Sequence, residues 1–242
     1  IQNCYEVKSK YLDIFIDFDD TLYDTHGNAV ISLQELFEQY NFSEYFDNLD
    51  DFTVPFWEAN EQLWAQYALG EITRDFLIIE RFRRPLSFGR GLDPSEAFCL
   101  EVSDCYLEIC SNKSGVVEGC YELLDYLKQN GYKLHLCSNG FHEVQYKKLA
   151  SSHLTEYFDT IVLSEDAGAN KPSNEYFEYA FRVTNAQPAS TIMIGDNLKT
   201  DILGAKNAGI DQIYFNRRGG QVSNRSEVTY EVTSLKEILT IL

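Results

Sequence analysis

The sequence lacks any hydrophobic run of about 18 residues, the length that a membrane-spanning helix needs, so no transmembrane segment is predicted. No secretory signal peptide is visible, and the six cysteines include no C-x-x-C pair. The cysteines fall mostly within apolar periodic stretches, which favours buried, reduced thiols in a cytoplasmic protein. Basic residues are also few: 20 Lys and Arg stand against 38 Asp and Glu, giving a formal net charge of -18. This charge argues against a nucleic-acid polymer or an anionic membrane as partner.

What the chain does contain is enough apolar material for a sizeable core. It has 242 residues, of which 44% are hydrophobic and 14% aromatic. This length suits one large domain or two modest ones. The β-branched and aromatic run Leu12–Ile16 predicts a buried strand, and Asp17, Asp19 and Asp20 follow it directly. Because carboxylates are costly to bury unless they are paired, hydrogen-bonded or bound to a metal, these acids mark a candidate site.

Helical periodicity alone continues from about residue 29 to residue 110. Four apolar stripes at helical spacing predict four helices with no strand between them. Thr73 is the predicted cap of the third helix, and Asp93-Pro94 with Glu96 closing a capping box announces the fourth. We therefore expect a small helical bundle inserted after the first strand.

From Val116 onward, strands alternate with helices. The further predicted strands are residues 132–137, 160–163, 191–194 and 212–215. Strands that alternate with helices indicate βαβ units and a parallel sheet. The expected fold is thus a Rossmann-like α/β core with a parallel sheet of five or more strands and helices on both faces. We assign residues 1–24 and 112–242 to this core and residues 25–111 to the inserted bundle.

Unusual polar residues lie at or just beyond the carboxyl ends of four predicted strands. They are Asp17 and Asp19, Ser138 and Asn139, Lys171, and Asp196 with Asp201. In a parallel sheet these ends share one edge, so the side chains can converge. Carboxylate oxygens at this density suit Mg²⁺, and a carboxylate can also attack phosphorus. A hydroxyl, backbone N–H groups and a lysine would hold phosphoryl oxygens, so the set suggests phosphoryl transfer.

These residues resemble, in order, the four motifs of the haloacid dehalogenase superfamily. The motifs are Asp17-Phe18-Asp19-Asp20-Thr21, Ser138 in Cys137-Ser138-Asn139-Gly140, Lys171 in Asn170-Lys171-Pro172, and Gly195-Asp196 followed by Asp201. The resemblance covers essentially the whole chain, and the helical insertion stands where this superfamily carries its first type of cap. By this resemblance, Asp17 is the nucleophile that becomes an aspartyl-phosphate and Asp19 is the general acid and base.

The resemblance also implies the ligands of the metal and of the phosphate. Asp17, the backbone carbonyl of Asp19 and Asp196 would hold Mg²⁺. Ser138 and Lys171 would grip the phosphate, with the backbone amides of Asn139 and Asp20 nearby. Asp201 either supports the water shell of the metal, orients Lys171, or lies on a helix surface.

Asp19 separates two branches of the superfamily. Dehalogenases of this fold lack an acid at that position and use no Mg²⁺, whereas a phosphatase or phosphomutase needs one. The stretches 138–141, 144–145, 157–159 and 164–168 look closest to the noncanonical pyrimidine 5′-nucleotidase family, whose members are thought to remove damaged or analogue nucleotides. The expected substrate is a small phosphorylated metabolite, namely a nucleoside 5′-monophosphate with a preference for pyrimidines.

Other functions fit the same motifs. A sugar-phosphate or phosphoglycolate phosphatase, or a phosphomutase, would carry them too. A non-catalytic phosphate-binding module is a further alternative, which the loss of Asp17 or Asp19 would have favoured; both are present.

Two groups within the insertion have competing explanations. Trp57 and Trp64 could stack on a base, but a helical aromatic stripe is more often bundle core. The arginines Arg81, Arg83, Arg84 and Arg90 could bind an anion. A solvated face of the insertion is the expected setting for them.

Overall fold

The computed structural model describes residues 9–220 and 228–242, so Cys4 lies outside the described residues. The chain divides into two compact units. The core unit comprises the chain up to Tyr23, Val116–Gly140 and the chain from Leu154 onward; the helical unit comprises Asp24–Gly115 and Phe141–His153. The boundaries that we assigned from the sequence, with the inserted bundle at residues 25–111 and the core on either side of it, remain a prediction.

The core unit is built on one six-stranded sheet with the order β3-β2-β1-β4-β5-β6, in which every neighbouring pair is parallel. The strands are β1 (Asp13–Ile16), β2 (Lys133–Ser138), β3 (Thr160–Leu163), β4 (Thr191–Gly195), β5 (Asp211–Phe215) and β6 (Tyr230–Val232). Helices cover both faces, so the predicted Rossmann-like α/β class is confirmed. The strand β6 adds to the five predicted from the sequence.

The α-helices are numbered in chain order. They are α1 (Thr25–Gln39), α2 (Asp50–Ala68), α3 (Arg74–Leu86), α4 (Glu96–Ser111), α5 (Cys120–Gln129), α6 (His142–Ser151), α7 (Ser164–Ala167), α8 (Asn174–Thr184) and α9 (Leu203–Asn207). A π-helical turn, Leu198–Ile202, precedes α9, and the chain closes with a 3₁₀ helix, Leu235–Thr240. No helix in residues 9–220 and 228–242 combines the length and the hydropathy that crossing a bilayer requires.

The central strand β1 is buried along its whole length because both of its edges are paired and both of its faces are covered. Ile16 lies in register with Leu136 of β2 and with Ile194 of β4. The residues that follow these three positions therefore reach the carboxyl edge of the sheet side by side.

Beneath this edge, one face of the sheet packs against α8. Phe15, Val162 and Met193 belong to a single buried cluster with Tyr176 and Phe177. The Tyr176 hydroxyl donates to the Val162 carbonyl at 2.8 Å, which satisfies the polar end of a side chain that is otherwise in apolar contact. This packing fixes the strands that deliver the site residues.

The helical unit has its own apolar core. One face of each of the first four helices contributes to it, through Leu33, Phe56, Phe82 and Val102 among others. The predicted helical bundle is thus confirmed. Trp57 packs partly buried against this cluster and Trp64 against a second one, in agreement with their expected core role.

Two predictions within the bundle differ from the structure. Arg81 is only 3% exposed, not solvated, because its guanidinium lies 5.1 Å from the ring centroid of Tyr106 and 5.5 Å from that of Phe82. The N-cap of α4 is Ser95, whose hydroxyl accepts from the Phe98 amide at 3.3 Å. The predicted capping box of Asp93 and Glu96 is therefore wrong.

Candidate active site

The turn after β1 carries the first site residues. The amides of Leu22 and Tyr23 both donate to the Phe18 carbonyl at 3.0 Å, and the Asp17 amide continues the ladder to the Ile194 carbonyl at 2.9 Å. The backbone of Asp17 is therefore hydrogen-bonded to β4 in the same way as the residues of β1. Because Asp17 is only 7% exposed, the charge of its carboxylate depends on the groups that surround it.

Asp19 and Asp20 follow within the same turn, both half-buried. Asp20 adopts a φ of 61°, a left-handed conformation that Asp tolerates better than most residues. Its amide donates to the Tyr23 carbonyl at 2.8 Å and so closes the turn. The predicted role of this amide in phosphate binding remains a prediction.

Lys171 brings three elements of the site together. Its ammonium Nζ lies 2.7 Å from Asp17 Oδ1, 2.8 Å from Asp201 Oδ1 and 2.7 Å from the Cys137 carbonyl oxygen. Lys171 is 2% exposed and Asp201 is 1% exposed, so these ion pairs are shielded from water. Of the alternatives left open for Asp201, orientation of Lys171 is the one that its contacts support.

Ser138 is the last residue of β2, and Asn139 follows it beside Lys171. Ser138 is buried, and its Oγ accepts from the Gly140 amide at 3.0 Å. The Asn139 side chain donates from Nδ2 to the Lys171 carbonyl at 2.9 Å, and its Oδ1 accepts from the Lys171 amide at 2.8 Å. The side chain of Asn139 thus contacts Lys171 directly, while Ser138 lies at the end of the neighbouring strand and contacts Gly140.

The end of β4 supplies Asp196, and the following turn supplies Asp201. The Asn197 amide donates to Asp201 Oδ2 at 3.1 Å, so both oxygens of Asp201 are engaged. Gly195 leaves room for this carboxylate, because a Cβ at that position would lie 2.5 Å from Asp201 Cγ. A larger residue at 195 would force Asp201 away from its place.

Thr21 has a structural role that the sequence reasoning did not assign. It is fully buried, and its hydroxyl donates to Asp17 Oδ2 at 2.9 Å while accepting from the Asp196 amide at 3.1 Å. Thr21 therefore links the two strand ends and fixes the orientation of the Asp17 carboxylate. Its place in the D-x-D-x-T motif was the available signal.

Arg217 is a second residue near the candidate site that the sequence patterns did not single out. It follows β5, and its Nη1 lies 3.8 Å from Asp20 Oδ1. Its position two residues after β5 was the available signal, because the carboxyl ends of all the strands share this edge of the sheet.

Burial dominates the electrostatics of the site. Burial and the nearby Asp201 carboxylate raise the pKa of Asp17 to about 7, although the Lys171 ammonium acts in the opposite direction. Burial and the carboxylates of Asp17 and Asp201 also raise the pKa of Asp196 well above its ordinary value. Burial by itself would lower the pKa of Lys171, but the same two carboxylates outweigh it and raise that pKa, so the ammonium stays charged.

The donor set fits a hard divalent cation. Carboxylate oxygens of Asp17, Asp196 and Asp201 all lie within 4.8 Å of one another. Oxygen donors at this density are what Mg²⁺ takes in proteins. Both Asp17 and Asp201 already accept a hydrogen bond at each oxygen, Asp17 from Lys171 and Thr21 and Asp201 from Lys171 and the Asn197 amide.

Residues 14–209 match the family model of the haloacid dehalogenase-like hydrolases, and the chain belongs to this family. The resemblance found from the motifs and the prediction of a hydrolase are therefore confirmed.

Several relatives match the chain over nearly its whole length. It is 32% identical over 237 residues to the HAD-hydrolase YfnB of Bacillus subtilis, covering 96% of each chain. The structure of YfnB bound to magnesium matches with a TM-score of 0.86 at 30% identity, covering 97% of this chain and 99% of YfnB. Pyrimidine 5′-nucleotidase PynA of Streptococcus pneumoniae is 31% identical over 234 residues, covering 96% of this chain and 95% of PynA. Pyrimidine 5′-nucleotidase YjjG of Escherichia coli is 30% identical over 235 residues, covering 95% of this chain and 96% of YjjG.

The close approach of Asp201 to Gly195 generates a stability prediction. We expect Gly195→Ala to lower the free energy of unfolding by about 1–3 kcal/mol, because the new methyl group would collide with a buried, ion-paired carboxylate. Chemical denaturation of the two proteins measures the difference. Gly220→Ala is the matched control, since a Cβ there meets nothing within 4 Å. Equal stability of wild type and Gly195→Ala would show that Asp201 does not pack against Gly195 in solution.

Proposed function

We propose that this protein is a Mg²⁺-dependent phosphatase that works through an aspartyl-phosphate at Asp17. The observation that carries the proposal is the placement of the Asp17 carboxylate, which Lys171 holds on one oxygen and Thr21 on the other. A carboxylate with a fixed orientation beside a buried cation suits attack on an anionic phosphoryl group.

In the first half of the proposed reaction, an Asp17 oxygen forms a bond to phosphorus as the bond from phosphorus to the leaving oxygen breaks. Asp19 donates the proton that the leaving alcohol needs. In the second half, Asp19 takes a proton from a water molecule, which attacks phosphorus and releases Asp17. Ser138 and Lys171 bind the phosphoryl oxygens, and the Lys171 charge offsets the negative charge of the transition state.

The metal site of the proposal uses Asp17, Asp196 and the backbone carbonyl of Asp19. When bound, Mg²⁺ would supply charge neutralisation, which lets an anionic phosphate approach a cluster of acids in a protein of net charge -18. The magnesium bound to the relative YfnB supports this choice of ion. Asp201 serves this site indirectly, by keeping Lys171 in place.

The proposed substrate is a nucleoside 5′-monophosphate, with pyrimidines preferred. The support comes from the two relatives named as pyrimidine 5′-nucleotidases and from the motif-flanking stretches described above. A sugar-phosphate or phosphoglycolate phosphatase, or a phosphomutase, would use the same core residues. The proposed location of the enzyme is the cytoplasm.

The raised pKa values of the site predict how its metal affinity depends on pH. A carboxyl group must lose its proton before it can bind a cation, and the pKa of Asp17 is raised to about 7. We therefore expect the affinity for Mg²⁺ to fall as the pH decreases from 8 to 6, by up to about tenfold per unit for each proton displaced. Isothermal titration calorimetry in buffers of different ionisation enthalpy would measure both the affinity and the proton release. An affinity that does not change over this range would contradict the assignment of Asp17 as a ligand.

A substrate panel tests the proposed function. We would measure phosphate release from pyrimidine and purine 5′-monophosphates, sugar phosphates and phosphoglycolate, with and without Mg²⁺. The proposal predicts strict Mg²⁺ dependence and the highest kcat/KM for pyrimidine nucleotides. Asp17→Asn should lower kcat at least about 1,000-fold because it removes the nucleophile, whereas Asp125→Asn, an exposed acid elsewhere in the core unit, should change it little.

The panel can fail in distinguishable ways. Slow, equal turnover of all compounds would contradict the nucleotide preference but not the phosphatase activity. Ordinary activity in Asp17→Asn would exclude Asp17 as nucleophile. No Mg²⁺-dependent turnover of any compound would favour the phosphate-binding module.

A further inference from the structure

The side chain of Asn139 holds the backbone of Lys171 at two points. Nδ2 donates to the Lys171 carbonyl at 2.9 Å, and Oδ1 accepts from the Lys171 amide at 2.8 Å. We propose that the Asn139 side chain is a positioning residue, which acts on the reaction through Lys171 and not by binding substrate itself. The inference rests on the proposed function only in giving Lys171 a catalytic role.

Lys171 needs such support because of where it lies. It falls between α7, which ends at Ala167, and α8, which begins at Asn174, so neither helix pairs its amide and carbonyl. Unpaired backbone groups in a buried position destabilise the folded chain. A carboxamide offers one donor and one acceptor side by side, which matches the amide and carbonyl of a single residue.

The two hydrogen bonds from the Asn139 side chain to the Lys171 backbone, here called the clamp, also limit the freedom of the Lys171 side chain. A lysine has four side-chain torsions, and each misplaced torsion would move its ammonium away from the carboxylates. With the backbone fixed by Asn139, the ammonium reaches Asp17 and Asp201 at 2.7 and 2.8 Å. Loss of the clamp should therefore misplace the charge that offsets the transition state.

The clamp also occupies the polar atoms of the side chain. Oδ1 and one hydrogen of Nδ2 point to the Lys171 backbone, while the backbone amide of Asn139 is not part of this contact. A phosphate contact through that backbone amide would survive substitution of the side chain. Substitution of Asn139 therefore separates positioning from binding.

The first test compares kcat with KM. For Asn139→Ala acting on p-nitrophenyl phosphate, we expect kcat to fall about 10–100-fold, because a displacement of about 1 Å costs on that order, with KM changed less than about threefold. Asn130→Ala is the control, since Asn130 is exposed and also donates from Nδ2 to a backbone carbonyl, at 2.8 Å from Tyr126 O. A rise in KM with kcat unchanged would overturn the proposal and assign the side chain to substrate binding.

A double-mutant cycle that combines Asn139→Ala with Lys171→Met tests whether Asn139 acts through Lys171. Single-turnover kinetics measure the rate of each variant. We expect Asn139→Ala to have little further effect on kcat when the lysine is already gone. An equal loss in both backgrounds would overturn the proposal. If Asn139→Ala does not fold, the isosteric Asn139→Asp replaces the Nδ2 donor by a carboxylate oxygen and keeps Oδ1. It should lower kcat without the large rise in KM that a phosphate ligand turned anionic would cause.

A readout without turnover separates this inference from the proposed function. The modification rate of each lysine by acetic anhydride, followed by peptide mass spectrometry, reports whether Lys171 is shielded. We expect Lys171 to react several-fold faster in Asn139→Ala than in wild type or Asn130→Ala, while the exposed Lys128 and Lys206 do not change. An unchanged rate at Lys171 would overturn the clamp even if the protein is a phosphatase. A faster rate in a protein that hydrolyses no phosphomonoester would support the clamp and contradict the proposed function.

Discussion

The candidate active site depends on one buried ammonium group that two carboxylates share. Lys171 Nζ contacts Asp17 and Asp201 at 2.7 and 2.8 Å in a place where all three residues are at most 7% exposed. Buried charges are stable only when they are paired and hydrogen-bonded, and removal of one partner leaves the others uncompensated. The surrounding structure supplies this compensation: the Cys137 carbonyl completes the contacts of the ammonium, and the Asn197 amide holds the far oxygen of Asp201.

The parallel sheet explains why residues so distant in sequence can meet. Ile16, Leu136 and Ile194 lie in register, so the chain delivers Asp17, Ser138 and Asp196 to one edge within two residues of these positions. Thr21 then joins the first and last of these strand ends through its hydroxyl. The network is therefore a property of strand register as much as of the individual side chains, and a shift of one residue in β1 would dismantle it.

The fold class, and the gathering of the candidate site residues at one edge of the sheet, could be predicted because both follow from local patterns. Alternating strands and helices indicate a parallel sheet, and acids at strand ends indicate its functional edge. Contacts between distant segments could not be predicted in this way: the clamp of Asn139 on Lys171 spans 32 residues. Arg81 was placed wrongly in solvent because a charge pattern does not reveal the rings of Phe82 and Tyr106. The three-residue strand β6 is too short to show a period.

The proposed mechanism requires Asp17 to receive the phosphoryl group. The most direct test is a single-turnover reaction of wild-type protein with p-nitrophenyl phosphate and Mg²⁺, quenched in acid within the first turnover and analysed by peptide mass spectrometry. We expect a transient phosphoryl group on the peptide that contains Asp17, formed and lost at rates compatible with kcat and absent in Asp17→Asn. Product formation without any phosphorylated peptide, or a phosphoryl group on a different residue, would contradict it.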